Sequence, residues 1–198
     1  MTNDSKKAWS GRFGGDTDSL MERFNASIGF DQKLFRADIQ GSRVQARSLH
    51  RIGIFSDEEL SDVLLGLDQV EQEIASGALP LTDDLEDIHM AVEKRLTEIV
   101  GSAGGKVHTG RSRNDQVALD EFLYLREAIA GTLARIDALQ EAILTTAEMH
   151  VDTIVPGYTH MQQAQPIRLA HWAMALFWML ERDWGRFVDC GGRVDASP

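Results

Sequence analysis

The stretch "NDQVALDEFLYLREAIAGTLARIDALQEAILTTAEMHV", Asn114 to Val151, decides the fold class. It contains no proline, and only Gly131 interrupts it. Leu119, Phe122, Leu123, Leu125, Ile129, Leu133, Ile136, Leu139, Ile143 and Leu144 fall on one broad apolar stripe, the signature of an amphipathic helix. At 1.5 Å per residue such a helix is about 55 Å long, far beyond the usual three or four turns.

Helical patterns also precede it, and no stretch alternates convincingly as a strand would. One runs from about Asp31 to Arg51 and closes at Gly53. "SDEE", Ser56 to Glu59, fits a capping box with Ser56 as N-cap. Behind it Leu60, Val63, Leu64, Leu67, Val70 and Ile74 make one face, ended by Gly77 and Pro80. A third helix is expected from Leu85 to Val100, broken by Gly101, Gly104 and Gly105. Beyond Val151 the segment "DTIVPGYTHMQQAQP" reads as a buried polar loop, with Pro166 in the first turn of a final helix. That helix, "IRLAHWAMALFWMLERDWGRF", is apolar nearly all round in its first half. A hairpin of two helices cannot cover Trp172, Leu176, Phe177, Trp178 and Leu180 together, so further helices or other subunits are required. The expectation is an all-α chain.

The 198 residues carry a formal net charge of −11. That balance disfavours nucleic acid and anionic membranes, which demand a basic face. The single cysteine, Cys190, cannot form an internal disulfide, and no Cys/His set has zinc spacing. No metal or cofactor is expected, and the cysteine usage suits a reducing, cytoplasmic compartment. "MTNDSKKAWSGRFGG" has no apolar core of a secretory signal. The run Ile167 to Leu180 is too short and too interrupted to span a bilayer. "GGDTDS" has too few spaced carboxylates for a calcium loop, and no glycine fingerprint for a dinucleotide follows a strand.

Against the acidic background, "KVHTGRSRND", Lys106 to Asp115, stands out. Its cations, Ser112 and Asn114 lie where a helix begins, and a helix N-terminus offers unpaired N–H groups and a positive dipole end. A carboxylate or phosphate ligand follows from the chemistry; the competing reading is a solvated loop whose arginines pair with some of the 31 acidic residues. In "PGYTHMQQAQP" His160, beside Thr159, suits acid/base work, although a lone loop histidine is more often only hydrogen-bonded. His89 in "EDIHMAVE" reads by itself as a helix-edge histidine paired with Glu93. Ser27 in "FNASIGFD" reads as a loop hydroxyl or an N-cap.

Taken in order, "WSGRF", "FNASIGFD", "DIQGSR", "EDIHMAVE", "GGKVHTGRSRNDQ" and "GYTHMQQAQP" resemble the argininosuccinate lyases of the fumarase/aspartase superfamily, from about Lys7 to the last residue. The resemblance implies a mostly helical homotetramer, with a small helical N-terminal domain over residues 1–112 and the start of a long-helix bundle over 113–198, the bundle packing against those of the other subunits. It implies sites that gather signature segments from three subunits. The implied reaction is reversible β-elimination of argininosuccinate to arginine and fumarate, without metal or cofactor. By position, His160 matches the catalytic histidine; Ser27, Asn114 and Thr159 match substrate-binding residues; Arg113, Asp87 and His89 match residues that line or support the site. A third signature resembling "GSS-MP-K-N", which carries the second acid/base group, does not occur in these residues. The piece alone is therefore expected to be inactive. Met161, Gln163, Gln45 and Leu119 stand where the family more often has Leu, Arg, His and Thr. A sister lyase acting on adenylosuccinate, or a non-catalytic crystallin-like relative, are the alternatives.

Overall fold

In a computed structural model, residues 18–82 and 85–197 are described. "WSGRF" and the opening of "GGDTDS", together with the rest of the N-terminal stretch searched for a signal, lie outside these residues. The chain forms two compact units, Met1–Asp120 and Glu121–Pro198.

The first unit begins with the short helices α1 (Ser19–Asn25) and α2 (Ile28–Asp31), and a 3-10 turn at Gln32–Leu34 leads into α3 (Phe35–Arg51). α4 (Asp57–Ser76), α5 (Ile88–Val100) and the five-residue α6 (Ser102–Lys106) follow. α4 starts with the predicted capping box: Glu59 N–H donates to Ser56 Oγ, and Ser56 N–H donates back to Glu59 Oε2. It ends with Gly77 in the left-handed region at φ 75°, where Gly77 N–H reaches Ile74 O and Ala78 N–H reaches Glu73 O. That pair of bonds satisfies carbonyls the last turn leaves open. α5 starts at Ile88 rather than Leu85 because the Asp87 carboxylate accepts Met90 N–H at 2.6 Å and fixes the N-cap there.

The core of this unit comes from the predicted faces: Ile39, Ala46 and Leu49 of α3, Val63, Leu67 and Val70 of α4, and Ile88, Val92 and Leu96 of α5. Ion pairs flank it. Arg43 meets Asp68 and Glu71 across α3 and α4, and Arg95 grips Glu73 with two N–H groups at 2.6 and 2.9 Å. The Arg95 bonds, with one from Gln69, hold Glu73 at about 2. Gly101, at φ 66°, ends α5 as expected. Gly104 and Gly105, however, are helical rather than helix-breaking, and Gly104 lets α6 press on Thr97: a Cβ on Gly104 would lie 2.7 Å from Thr97 Cα.

α7 (Arg113–Met149) is the long helix, 37 residues, and continues into the second unit. There β1 (Ile154–Thr159), β2 (Gln162–Arg168) and α8 (Leu169–Arg193) follow. The fold is all-α with one antiparallel hairpin among the described residues, which corrects the expectation of no strands and of a buried loop. Pro166 lies in β2 opposite Pro156, not in a helix, and most of the hairpin is exposed. Both strands are edges, the place in a sheet where proline is tolerated. Trp172 and Trp178 are both 56% exposed, so the unit indeed leaves the apolar face of α8 uncovered. No described helix is long and apolar enough to cross a membrane.

The two α6 glycines give a paired test. Gly104→Ala is expected to cost about 1–3 kcal/mol by overpacking against Thr97. Gly105→Ala, with nothing within 4 Å of the added methyl, is expected to be neutral or stabilising by up to about 1 kcal/mol. Urea unfolding of the two variants checks both.

Candidate active site

The turn between α6 and α7 shows what becomes of the basic cluster. Ser112 caps α7, its Oγ accepting Asn114 N–H at 3.2 Å while its carbonyl accepts Gln116 N–H. All three cations meet acidic partners inside the first unit. Lys106 pairs with Glu59 and lies over the Phe55 ring. Arg113 pairs with Glu93 at 3.0 Å and also donates to Gln116 Oε1 at 2.7 Å. Arg111 points inward, donating to Ser42 Oγ at 3.3 Å. At the helix N-terminus the side chain of Asn114 is exposed, as are those of Ser112 and Asp115.

Arg111 faces a buried cluster that the sequence reading did not anticipate. His89 Nδ1 sits 3.3 Å from Asp38 Oδ1 and 3.2 Å from Asp120 Oδ2, with all three side chains at most 3% exposed. His89 is therefore not an edge residue paired with Glu93; Glu93 is taken by Arg113. Burial by itself lowers the pKa of His89, but the carboxylates of Asp120 and Asp38 outweigh it and hold the imidazole at about 9. Burial, reinforced by the charge of Asp38, raises Asp120 to about 6 against the pull of His89. Burial lowers Arg111, opposed by the same two carboxylates. Asp38, Asp120, protonated His89 and Arg111 sum to zero charge. The three ligand atoms of Asp38, His89 and Asp120 lie within 4.8 Å of one another, a spacing that suits a metal ion; the imidazolium and guanidinium already supply the compensating charge. A cavity of about 20 Å³ beside Asp38, His89, Arg111 and Gln116 has room for one water molecule.

Ser27 joins this region through backbone. Ser27 and Ile28 N–H both donate to Glu86 O, at 2.8 and 3.1 Å, with Glu86 held at φ 65°. Ser27 Oγ donates to Asp31 Oδ2 at 2.6 Å, and Asp31 Oδ1 accepts Ile88 N–H at 3.2 Å. Ser27 thus stands at the N-cap position of α2 without capping it by its side chain. Ser27, Asp87, His89, Arg113 and Asn114 belong to the first unit, with Asp87 committed to capping α5 and His89 buried. Thr159 and His160 belong to the second, at the tip of the hairpin, both exposed.

That tip is a two-residue turn, with Thr159 paired to Gln162 and both His160 and Met161 at positive φ, 51° and 59°. Turns of this kind favour Asn-Gly, because side chains resist the left-handed region. His-Met is thus a strained choice, and it holds His160 clear of its own unit. The residues that sequence reasoning missed, Asp38 and Asp120, had one signal: an acidic side chain on the inward face of its helix, Asp38 between buried Ala37 and Ile39.

A family profile described as "Lyase" matches residues 11–198. The chain belongs to the lyase family. Argininosuccinate lyase of Thermus thermophilus is 52% identical to it over 97% of the chain and 42% of the relative, and that of Thioalkalivibrio sulfidiphilus is 50% identical over 97% and 41%. This lyase-family chain thus spans about two-fifths of the length of the curated relatives it matches. A crystal structure of EDDS lyase with formate is 30% identical with a TM-score of 0.71, covering 93% of the chain and 37% of that protein.

The raised pKa of His89 makes the stability of this lyase-family chain depend on pH. An imidazole raised from 6.5 to about 9 contributes stability that is fully present below pH 6.5 and is lost as pH rises through about 9. The loss is expected to amount to about 3 kcal/mol. Urea titrations from pH 6 to 10 check it, and His89→Gln should flatten that slope.

Proposed function

We propose that the chain is the N-terminal portion of an argininosuccinate lyase, which splits argininosuccinate reversibly into arginine and fumarate. The observation that carries the reading is the identity of about half the residues to argininosuccinate lyases over nearly the whole chain. A structural relative, a variant of EDDS lyase at 29% identity and TM-score 0.70, has fumarate bound, in keeping with a four-carbon dicarboxylate product.

In this reading the residues divide the work by chemistry. Removing a proton beside a carboxylate loads extra charge on that carboxylate, and fixed donors aimed there bind the transition state more tightly than the substrate. Asn114, at the N-terminus of α7, and Ser27 and Thr159 supply such neutral donors. His160 does acid/base work, presented by the strained hairpin tip; the departing guanidinium nitrogen requires a proton, so a second group must act opposite it. Arg113, Asp87 and His89 support these contacts: Arg113 through Glu93, Asp87 as the cap of α5, His89 from the buried cluster. Residues 1–112 serve as the helical N-terminal domain, and 113–198 open a bundle completed by other copies in a cytoplasmic homotetramer, which would cover the apolar face of α8.

Fumarate release by the protein at the full length of its relatives, followed by ultraviolet absorbance, tests the reaction. Argininosuccinate should yield fumarate and adenylosuccinate should not; fumarate from neither sinks the reading. His160→Asn keeps a residue that tolerates positive φ, so the hairpin should persist while turnover falls by about 100-fold or more. Loss of assembly in that variant would instead make His160 structural. Asn114→Leu should raise KM with folding intact, and unchanged kinetics would count against its role.

A further inference from the structure

The strip "DIQGSR" on α3 has no part in the chemistry above, yet it meets the signature turn repeatedly. Asp38 accepts a hydrogen bond from Gln116 Nε2. One turn on, Ser42 accepts from Arg111 Nη2 at 3.3 Å. Three residues further, Gln45 Nε2 donates to Thr109 O at 2.9 Å. Positions 38, 42 and 45 lie on one face of a helix, so a single side of α3 holds residues 109, 111 and 116. Gly41, on the same strip, permits the approach: a Cβ there would stand 3.3 Å from Leu119 Cδ2 and 3.4 Å from Asp120 Oδ1.

Behind these bonds lies the four-charge cluster. Asp38 Oδ2, both Asp120 oxygens and Arg111 Nε have no hydrogen-bond partner. Charge balance therefore carries more of the interaction than directional bonding does, and removing one charge must disturb the other three. The groups that face it are Asp38 from α3, His89 and Glu93 from α5, His108 and Arg111 from the turn, and Arg113, Gln116 and Asp120 from α7.

We propose that Asp38 and Asp120 are positioning residues of the substrate site, anchoring the 107–116 turn on α3 through His89 and Arg111 and thereby setting how Asn114 is presented. With Arg111 turned inward, Asn114, two positions after the cap residue Ser112, faces outward. The balanced state, with Asp120 ionised and His89 protonated, exists between about pH 6 and about 9. Above that range the cluster holds a net negative charge and the turn loosens. The role of Asn114 rests on the proposed lyase reading; the anchoring of the turn does not.

The test uses the full-length protein with Asp120→Asn, Asp38→Asn and, as a control, the exposed Asp62→Asn. Backbone hydrogen exchange of residues 107–116 is followed by mass spectrometry, alongside kcat and KM for argininosuccinate across pH. Both cluster variants should exchange about tenfold faster in this segment and show KM raised by about tenfold with a smaller change in kcat. The alkaline limb of kcat/KM should move to lower pH, because His89 has lost a carboxylate. Asp62→Asn should match the parent. Unchanged exchange overturns the anchor. Faster exchange with KM and the pH limb unmoved overturns the positioning role and leaves the cluster purely structural. If Asp120→Asn does not fold, Asp38→Asn and the parent protein decide: protection of 107–116, corrected for intrinsic rate, must fall as pH passes about 9, and a flat profile overturns the proposal. Absence of fumarate from the parent removes the reaction and the substrate half with it, while exchange still judges the anchor.

Discussion

Two carboxylates, Asp38 and Asp120, are withdrawn from water in the first unit, and the arrangement of the signature turn depends on how they are neutralised. Ionised groups at this depth are costly unless opposite charge lies beside them. His89 from α5 and Arg111 from the turn supply it. Each of the four comes from a different segment, so their mutual attraction ties α3, α5, the turn and the start of α7 into one body. Arg111, which in the sequence looked like a ligand for a foreign anion, is the internal counter-ion of this arrangement.

The rest of the turn follows from that commitment. With Arg111 inward, Arg113 lies against Glu93 and Gln116, and Ser112 closes the first turn of α7. The helix N-terminus keeps its positive end, and the side chain of Asn114 is exposed there. The second unit follows another logic. Its hairpin sets two non-glycine residues at positive φ at the tip and buries little of itself, so its shape is not explained by its own packing. Strain of this kind persists where the surroundings require it, which suits a side chain, His160, that is presented outward.

Much of the helical frame was legible in the chain. The capping box at Ser56–Glu59, the Gly77 stop and the faces of α4 and α5 are local features, and each was found where three- and four-residue spacing put it. The long helix from Asn114 was legible for the same reason: its 37 residues hold no proline and a single glycine, Gly131. The hairpin was not, because its turn is His-Met rather than Asn-Gly and each strand carries a proline. α6 was hidden too, since Gly104 serves close approach to Thr97 and not a turn.

The sequence by itself determined the helical class and the ends of α4, set by its capping box and its glycine stop, because these depend on neighbours within a turn or two. Only the tertiary structure decided which charges pair. Lys106, Arg111 and Arg113 lie within eight positions, yet their partners are Glu59, the Asp38–Asp120 pair and Glu93, drawn from α4, α3, α7 and α5. Pairing follows distance in space, and the low dielectric of the interior makes it strong where the charges are buried; neither quantity is written along the chain.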